Sequence, residues 1–200
     1  VFERQGGAFP SPRPMKVIFL DVDGVLHPLS SSQTFKSECM GELRRIVEAT
    51  GAKIVLSSSW RSSEVTTKMV SDHLKSSGIP HRFVDKTPSF RRGGQRQDEI
   101  VAWIQQWHKT CSAEDRIDNW VALDDINFVY GDLEEVFKLH SVCTNSDKGM
   151  VKKDADKAIT ILQSAPCAEA ARGLLGRILP RAADREAVCV CADRACPKTQ

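Results

Sequence analysis

Short apolar runs that stop abruptly at polar residues punctuate the chain. Val17-Ile18-Phe19-Leu20 runs into Asp21, Lys53-Ile54-Val55-Leu56 into Ser57, and Asn119-Trp120-Val121-Ala122-Leu123 into Asp124. Unbroken runs of this length, without the alternation of a sheet with one wet face, mark strands buried on both faces. Between them the period changes. Leu43, Ile46 and Val47 recur at helical spacing up to Gly51, and Val65, Met69, Val70 and Leu74 do so up to Gly78 and Pro80. Ile100, Trp103, Ile104 and Trp107 follow the i, i+3, i+4, i+7 rule and read as a helix face on a sheet rather than an aromatic binding platform. Leu139 to Cys143 predicts a fourth strand, and Ala155, Ala158, Ile159 and Leu162 a closing helix. Strands alternating with helices predict an α/β fold, a mostly parallel sheet with helices on both faces.

The flanks have a different texture. Residues 1–15, with three prolines and two glycines, read as an extended lead-in, residues 16–165 as the folded body, and residues 166–200 as an Ala/Arg-rich, cysteine-bearing tail without an assignable role. At 200 residues, 41% apolar and 27% charged, the composition is that of one globular domain, which excludes a disordered, collagen-like or coiled-coil chain. No apolar run approaches the ~18 residues of a membrane span. Val17 to Leu20 is also too short for the core of a secretory signal, so a membrane partner is not expected.

Charge narrows the partners further. The 28 basic and 26 acidic residues leave +2, and because the tail holds six basic and four acidic side chains, residues 1–165 carry 22 of each. Nucleic acid is therefore a possible partner, but net charge does not support it. Seven cysteines form an odd number without paired spacing, which predicts a reducing, intracellular setting, cytoplasmic in the simplest case. Cys189, Cys191 and Cys196 lack paired C-x-x-C spacing and read as free thiols rather than a zinc site.

In an open parallel sheet, ligands bind beyond the carboxyl ends of the strands, and three of the apolar runs end in polar pairs: Asp21/Asp23, Ser57/Ser58 and Asp124/Asp125. Asp21 and Asp23, followed by Gly24, concentrate negative charge in a way that is costly without a cation, and Mg²⁺ is the cation expected. A calcium-binding loop is excluded. With Asp21 at its first position, Val25 and Ser32 stand where acids are required, and the other register begins at Phe19.

The string VIFLDVDGVL resembles the first motif of the haloacid dehalogenase superfamily of aspartate-nucleophile phosphatases. That resemblance implies a Rossmann-like fold, with Asp21 as the nucleophile on phosphorus and Asp23 as the general acid/base; an Asp at the second position is similar to phosphatase rather than dehalogenase usage. KIVLSSSWR resembles the second motif, in which a strand-end hydroxyl binds the transferring phosphoryl group. Ser58 fits it through the Ser/Thr-x-Trp-Arg pattern of the haloacid dehalogenase domain in Swiss Army Knife RNA repair proteins, with Ser57 as the alternative. Trp60 reads as packing, and Arg61 either as a phosphate contact or as a solvated cation.

For the third motif, a cation near a helix start, Arg96 resembles the same subfamily through its Arg-x-x-Glu-Ile context, while Arg91 and Arg92 compete for the role. WVALDD resembles the fourth motif, which implies that Asp124 or Asp125 completes a Mg²⁺ shell together with Asp21 and the Asp23 backbone carbonyl. HSVCTNSDKGM is similar to the subfamily's segment beyond the last catalytic strand.

The gaps from Asp23 to Ser57 and from Ser58 to Arg96 hold a loop and a helix, then a helix and a short strand, so neither has room for a cap domain. The expected protein is a capless, Mg²⁺-dependent phosphohydrolase working through an aspartyl-phosphate. Its open site suits phosphate on a large substrate such as a nucleic-acid end, the basic stretch from Arg82 to Arg96 either attracting the anion or forming a solvated basic loop. The competing expectation is a catalytically silent module of the same fold that binds a phospho-ligand or a protein.

Overall fold

The computed structural model describes residues 15–79, 83–90, 95–112 and 115–164. Except for Met15, the expected lead-in lies outside the described residues, and so does the whole of the expected tail.

In chain order the elements are β1 (Met15–Leu20), α1 (Ser37–Thr50), β2 (Lys53–Leu56), a 3₁₀ turn (Ser59–Ser62), α2 (Glu64–Ser76) and β3 (Asp85–Lys86). Then come α3 (Arg96–Thr110), β4 (Ile117–Asp124), a second 3₁₀ turn (Gly131–Leu133), α4 (Glu134–His140), β5 (Ser141–Cys143) and α5 (Lys152–Gln163). Local chemistry sets several boundaries. Ser63 caps α2 by accepting from the Val65 amide at 3.2 Å, and the Asp98 carboxylate reaches back to the Gln95 amide at 3.3 Å to begin α3 at Arg96.

The five strands form one parallel sheet in the order β3-β2-β1-β4-β5. Side chains alternate across it. Ile18, Leu20, Ile54, Leu56, Val121 and Leu123 face α1, α2 and α5, whereas Val17, Phe19, Val55, Trp120 and Ala122 face α3 and α4. Phe19 meets the rings of Trp103 and Trp120 edge-on, with centroids 5.4 and 5.7 Å away, which joins β1 and β4 to α3. Helices cover both faces, as the Rossmann-like reading requires. No further layer interrupts the described residues between β1 and β2 or between β2 and α3.

One local expectation is corrected. Leu139 and His140 end α4, so the last strand is only Ser141–Cys143; the apolar run there spans a helix end and a strand start. On α2, Val70 and Leu74 are buried, but Val65 and Met69 are exposed, because the helix meets the sheet only through its C-terminal half.

Candidate active site

The sheet order reverses at β1. The chain goes from β1 outward to β2 and β3, then returns to place β4 on the other side, which opens a crevice beyond the carboxyl ends of β1 and β4. Leu20 is in register with Leu123, so Asp21 and Asp124 leave the sheet side by side, with the Asp21 amide donating to the Leu123 carbonyl at 2.9 Å. Both carboxylates are almost fully buried, and together with Asp125 they bring oxygens within 4.8 Å of one another.

Gly24 makes that approach possible. Its φ is +68°, and a Cβ there would lie 2.6 Å from Asp125 Cγ. The turn around Gly24 is braced from the far end of the domain, where Thr144 Oγ1 donates to the Gly24 carbonyl at 2.7 Å and the Met150 amide to the Val25 carbonyl at 2.8 Å.

Among the described residues, one guanidinium enters the acidic cluster. Arg96 Nη1 lies 3.2 Å from Asp21 Oδ1 and 3.2 Å from Asp124 Oδ2, and it also donates to the Ser57 carbonyl. Burial raises the Asp21 carboxyl above its ordinary range, against the opposing pull of Arg96 and a hydrogen bond from Ser58. Asp124 is pushed up to about 7, first by burial and then by the charge of Asp21, with Arg96 again opposing. Three carboxylates against one guanidinium leave formal negative charge of the size a divalent cation carries, and the donors are all hard oxygens. The residues therefore fit a metal such as Mg²⁺.

The serines divide their tasks. Ser58 is fully buried and hydrogen-bonds Asp21, whereas Ser57 Oγ accepts from Thr87 Oγ1 at 3.4 Å and its carbonyl holds Arg96. Arg61 is not a freely solvated cation, and it lines the cleft beside Arg96. Its side chain is 8% exposed, it pairs with Glu99 at 2.6 Å, and it donates to the carbonyls of Ser58 and Pro88. Arg91 and Arg92 lie outside the described residues. Beside Arg96 opens a cleft of about 500 Å³, lined in part by Ser59, Ser62, Ser89, Ile126 and Tyr130.

Asp23 stands apart from the cluster. Its side chain is 38% exposed, with Oδ1 3.2 Å from His27 Nε2 and Oδ2 accepting from Trp60 Nε1 at 2.9 Å. Sequence reasoning assigned no site role to His27, Glu99 or Thr144, and it gave Trp60 only packing. The available signal was weak: a His four residues after Asp23, and a Trp just after the strand-end serines.

A family model described as the HAD domain in Swiss Army Knife RNA repair proteins matches residues 17–155, well over half of the chain. No curated protein and no solved structure gives a match.

Proposed function

From the premise that the chain belongs to the family of HAD domains found in Swiss Army Knife RNA repair proteins, we propose that it is a Mg²⁺-dependent phosphomonoesterase that works through an aspartyl-phosphate. The supporting observation is the set at the sheet crevice: Asp21 flanked by Ser58, Arg96, Asp124 and Asp125, with Asp23 two residues on and open to solvent. Asp21, Asp124 and Asp125, with the Asp23 backbone carbonyl, are the residues that would hold the metal. When bound, it supplies positive charge that screens carboxylate from phosphate and polarises the phosphoryl oxygens.

The rest falls to the chain's own groups. Ser58 and Arg96 donate to phosphoryl oxygens and hold the ester in line with Asp21. An Asp21 oxygen forms a bond to phosphorus while the bond to the ester oxygen breaks, and Asp23 gives its proton to that departing oxygen. Asp23, now a carboxylate, takes a proton from the water that attacks the phosphorus of the acyl-phosphate. Inorganic phosphate leaves, and both carboxyls return to their first state.

The basis for a polymer end as substrate is coarser: the family's occurrence in RNA repair proteins, and the open crevice. The deciding experiment is Asp21→Asn assayed with Mg²⁺ and with EDTA on phosphomonoesters, phosphopeptides and phosphorylated oligonucleotides. Turnover and its EDTA sensitivity should vanish in the variant while the thermal melt stays cooperative. Wild-type turnover in folded Asp21→Asn overturns the nucleophile, and a wild-type protein inactive on every class supports the silent module.

A further inference from the structure

In the proposed reaction Asp23 passes a proton to the departing oxygen and takes one from water, and its side chain is open to solvent, at 38%. A free carboxylate in that position would rotate about its terminal torsion, which is broad and weakly restrained. Here Oδ2 accepts from Trp60 Nε1 at 2.9 Å, and Oδ1 lies 3.2 Å from His27 Nε2. The indole nitrogen can only donate, so the acid proton cannot sit between Asp23 and Trp60. It is confined to lone pairs on the solvent-facing edge.

The His27 contact is equally constrained. The ring is 6% exposed, and its other nitrogen, Nδ1, is buried without a hydrogen-bond partner among the described residues. A proton on that orphaned nitrogen would be a buried, unsatisfied donor, which costs ~1–3 kcal/mol. In the neutral ring the proton therefore belongs on Nε2, the nitrogen that lies 3.2 Å from Asp23 Oδ1.

Both donors are themselves fixed. Phe35, 5% exposed, packs edge-on against Trp60 with centroids 5.3 Å apart, lies 6.0 Å from His27, and stacks on His73 at 4.1 Å. It is also the one non-glycine among the described residues at positive φ, +56°, a conformation that persists only where the surroundings impose it. The loop between β1 and α1 that carries Phe35 thus spends backbone strain to place one aromatic ring behind the clamp. The Trp60 carbonyl accepts from Thr66 Oγ1 at 2.6 Å and from Thr67 Oγ1 at 3.2 Å, which ties the turn carrying Trp60 to the start of α2.

We infer that His27 and Trp60 are positioning residues that clamp the carboxylate of Asp23, so that its free edge delivers the proton to the departing ester oxygen. The inference rests on the phosphohydrolase reading above. The effect of the clamp belongs to the step that needs the proton, and an alkyl ester, a poor leaving group, needs it far more than an activated aryl ester.

The test compares kcat for an alkyl phosphate and an activated aryl phosphate in wild type, Asp23→Asn, Trp60→Phe, His27→Leu and His27→Gln, each checked for a cooperative melt. Trp60→Phe keeps a ring against Phe35 but removes the N–H. His27→Gln keeps a donor near the Nε2 position, and His27→Leu does not. Trp60→Phe and His27→Leu should each lose about tenfold or more in alkyl turnover beyond their aryl loss, in the same sense as Asp23→Asn, and His27→Gln should recover most of it. Equal losses on both esters, or no rescue by Gln, overturn the clamp while leaving the phosphatase intact. A wild-type protein that hydrolyses neither ester overturns the phosphatase reading and the clamp with it. Should Trp60→Phe fail to fold, the two His27 variants decide the question alone.

Discussion

A methyl group on Gly24 would meet the Asp125 carboxyl and impose a side chain on a backbone at φ +68°. Gly24→Ala should therefore weaken Mg²⁺ binding, followed by calorimetric titration, by about tenfold or more, because Asp125 must move and the left-handed residue costs ~1–2 kcal/mol. Asp124 gives a second prediction. Its carboxyl titrates near 7 in the folded protein against an ordinary value of 3.8, so between these values the folded state holds a proton that the unfolded state has lost. Stability of the metal-free protein should fall as pH rises from about 4 to about 7, and Mg²⁺ should raise the melting temperature more at pH 8 than at pH 5. A metal-free melt that rises over that interval contradicts this. At this scale the sequence showed which residues carry the candidate chemistry, since D-x-D-G, the strand-end serines and the acid pair are contiguous strings. It did not show the partners of those residues, because Thr144 on Gly24, Glu99 on Arg61 and Phe35 on Trp60 are contacts made by folding distant segments together.

The pair Arg61–Glu99 works between elements, tying the 3₁₀ turn after β2 to the first turns of α3, where Arg96 sits. Glu99 also accepts from the Phe90 amide at 3.1 Å, so one buried carboxylate gathers the turn, the segment before α3 and α3 itself. Glu99→Ala leaves the Arg61 guanidinium buried without its counter-charge and should destabilise the protein by about 3–5 kcal/mol in urea unfolding. A change below about 1 kcal/mol would mean that Arg61 finds another partner or reaches water. Strands β1, β2 and β4 were legible because burial on both faces leaves an uninterrupted apolar run. The boundary between α4 and β5 was not, since Leu139 to Cys143 offers five residues compatible with either state, and hydrogen bonds to β4 decide where the strand starts. The gap before α3 was expected to hold a short strand, and β3 is that strand, two exposed residues paired to β2.

Across the whole molecule, the described residues place no layer over the crevice, so binding energy must come from the surface around it. A phosphate at an oligonucleotide end should show higher kcat/KM than the matching mononucleotide, with an advantage that shrinks as salt is raised. Arg91→Gln with Arg92→Gln should reduce that advantage more than it reduces hydrolysis of small esters. A mononucleotide hydrolysed more efficiently than every phosphorylated polymer would point instead to recognition inside the cleft beside Arg96. The order β3-β2-β1-β4-β5 also bears on how the protein is made. Of the five described strands, the one that delivers Asp21 leaves the ribosome first, but its partner on one side, ending at Asp124, follows about a hundred residues later. Until β4 emerges, an apolar strand has one unpaired edge while synthesis continues at ~5–20 residues per second, an interval of several seconds at least. Chains stalled or cut before residue 117 should be ready substrates for chaperones and prone to aggregate, and the crevice between β1 and β4 comes into being only at the end of that exposure.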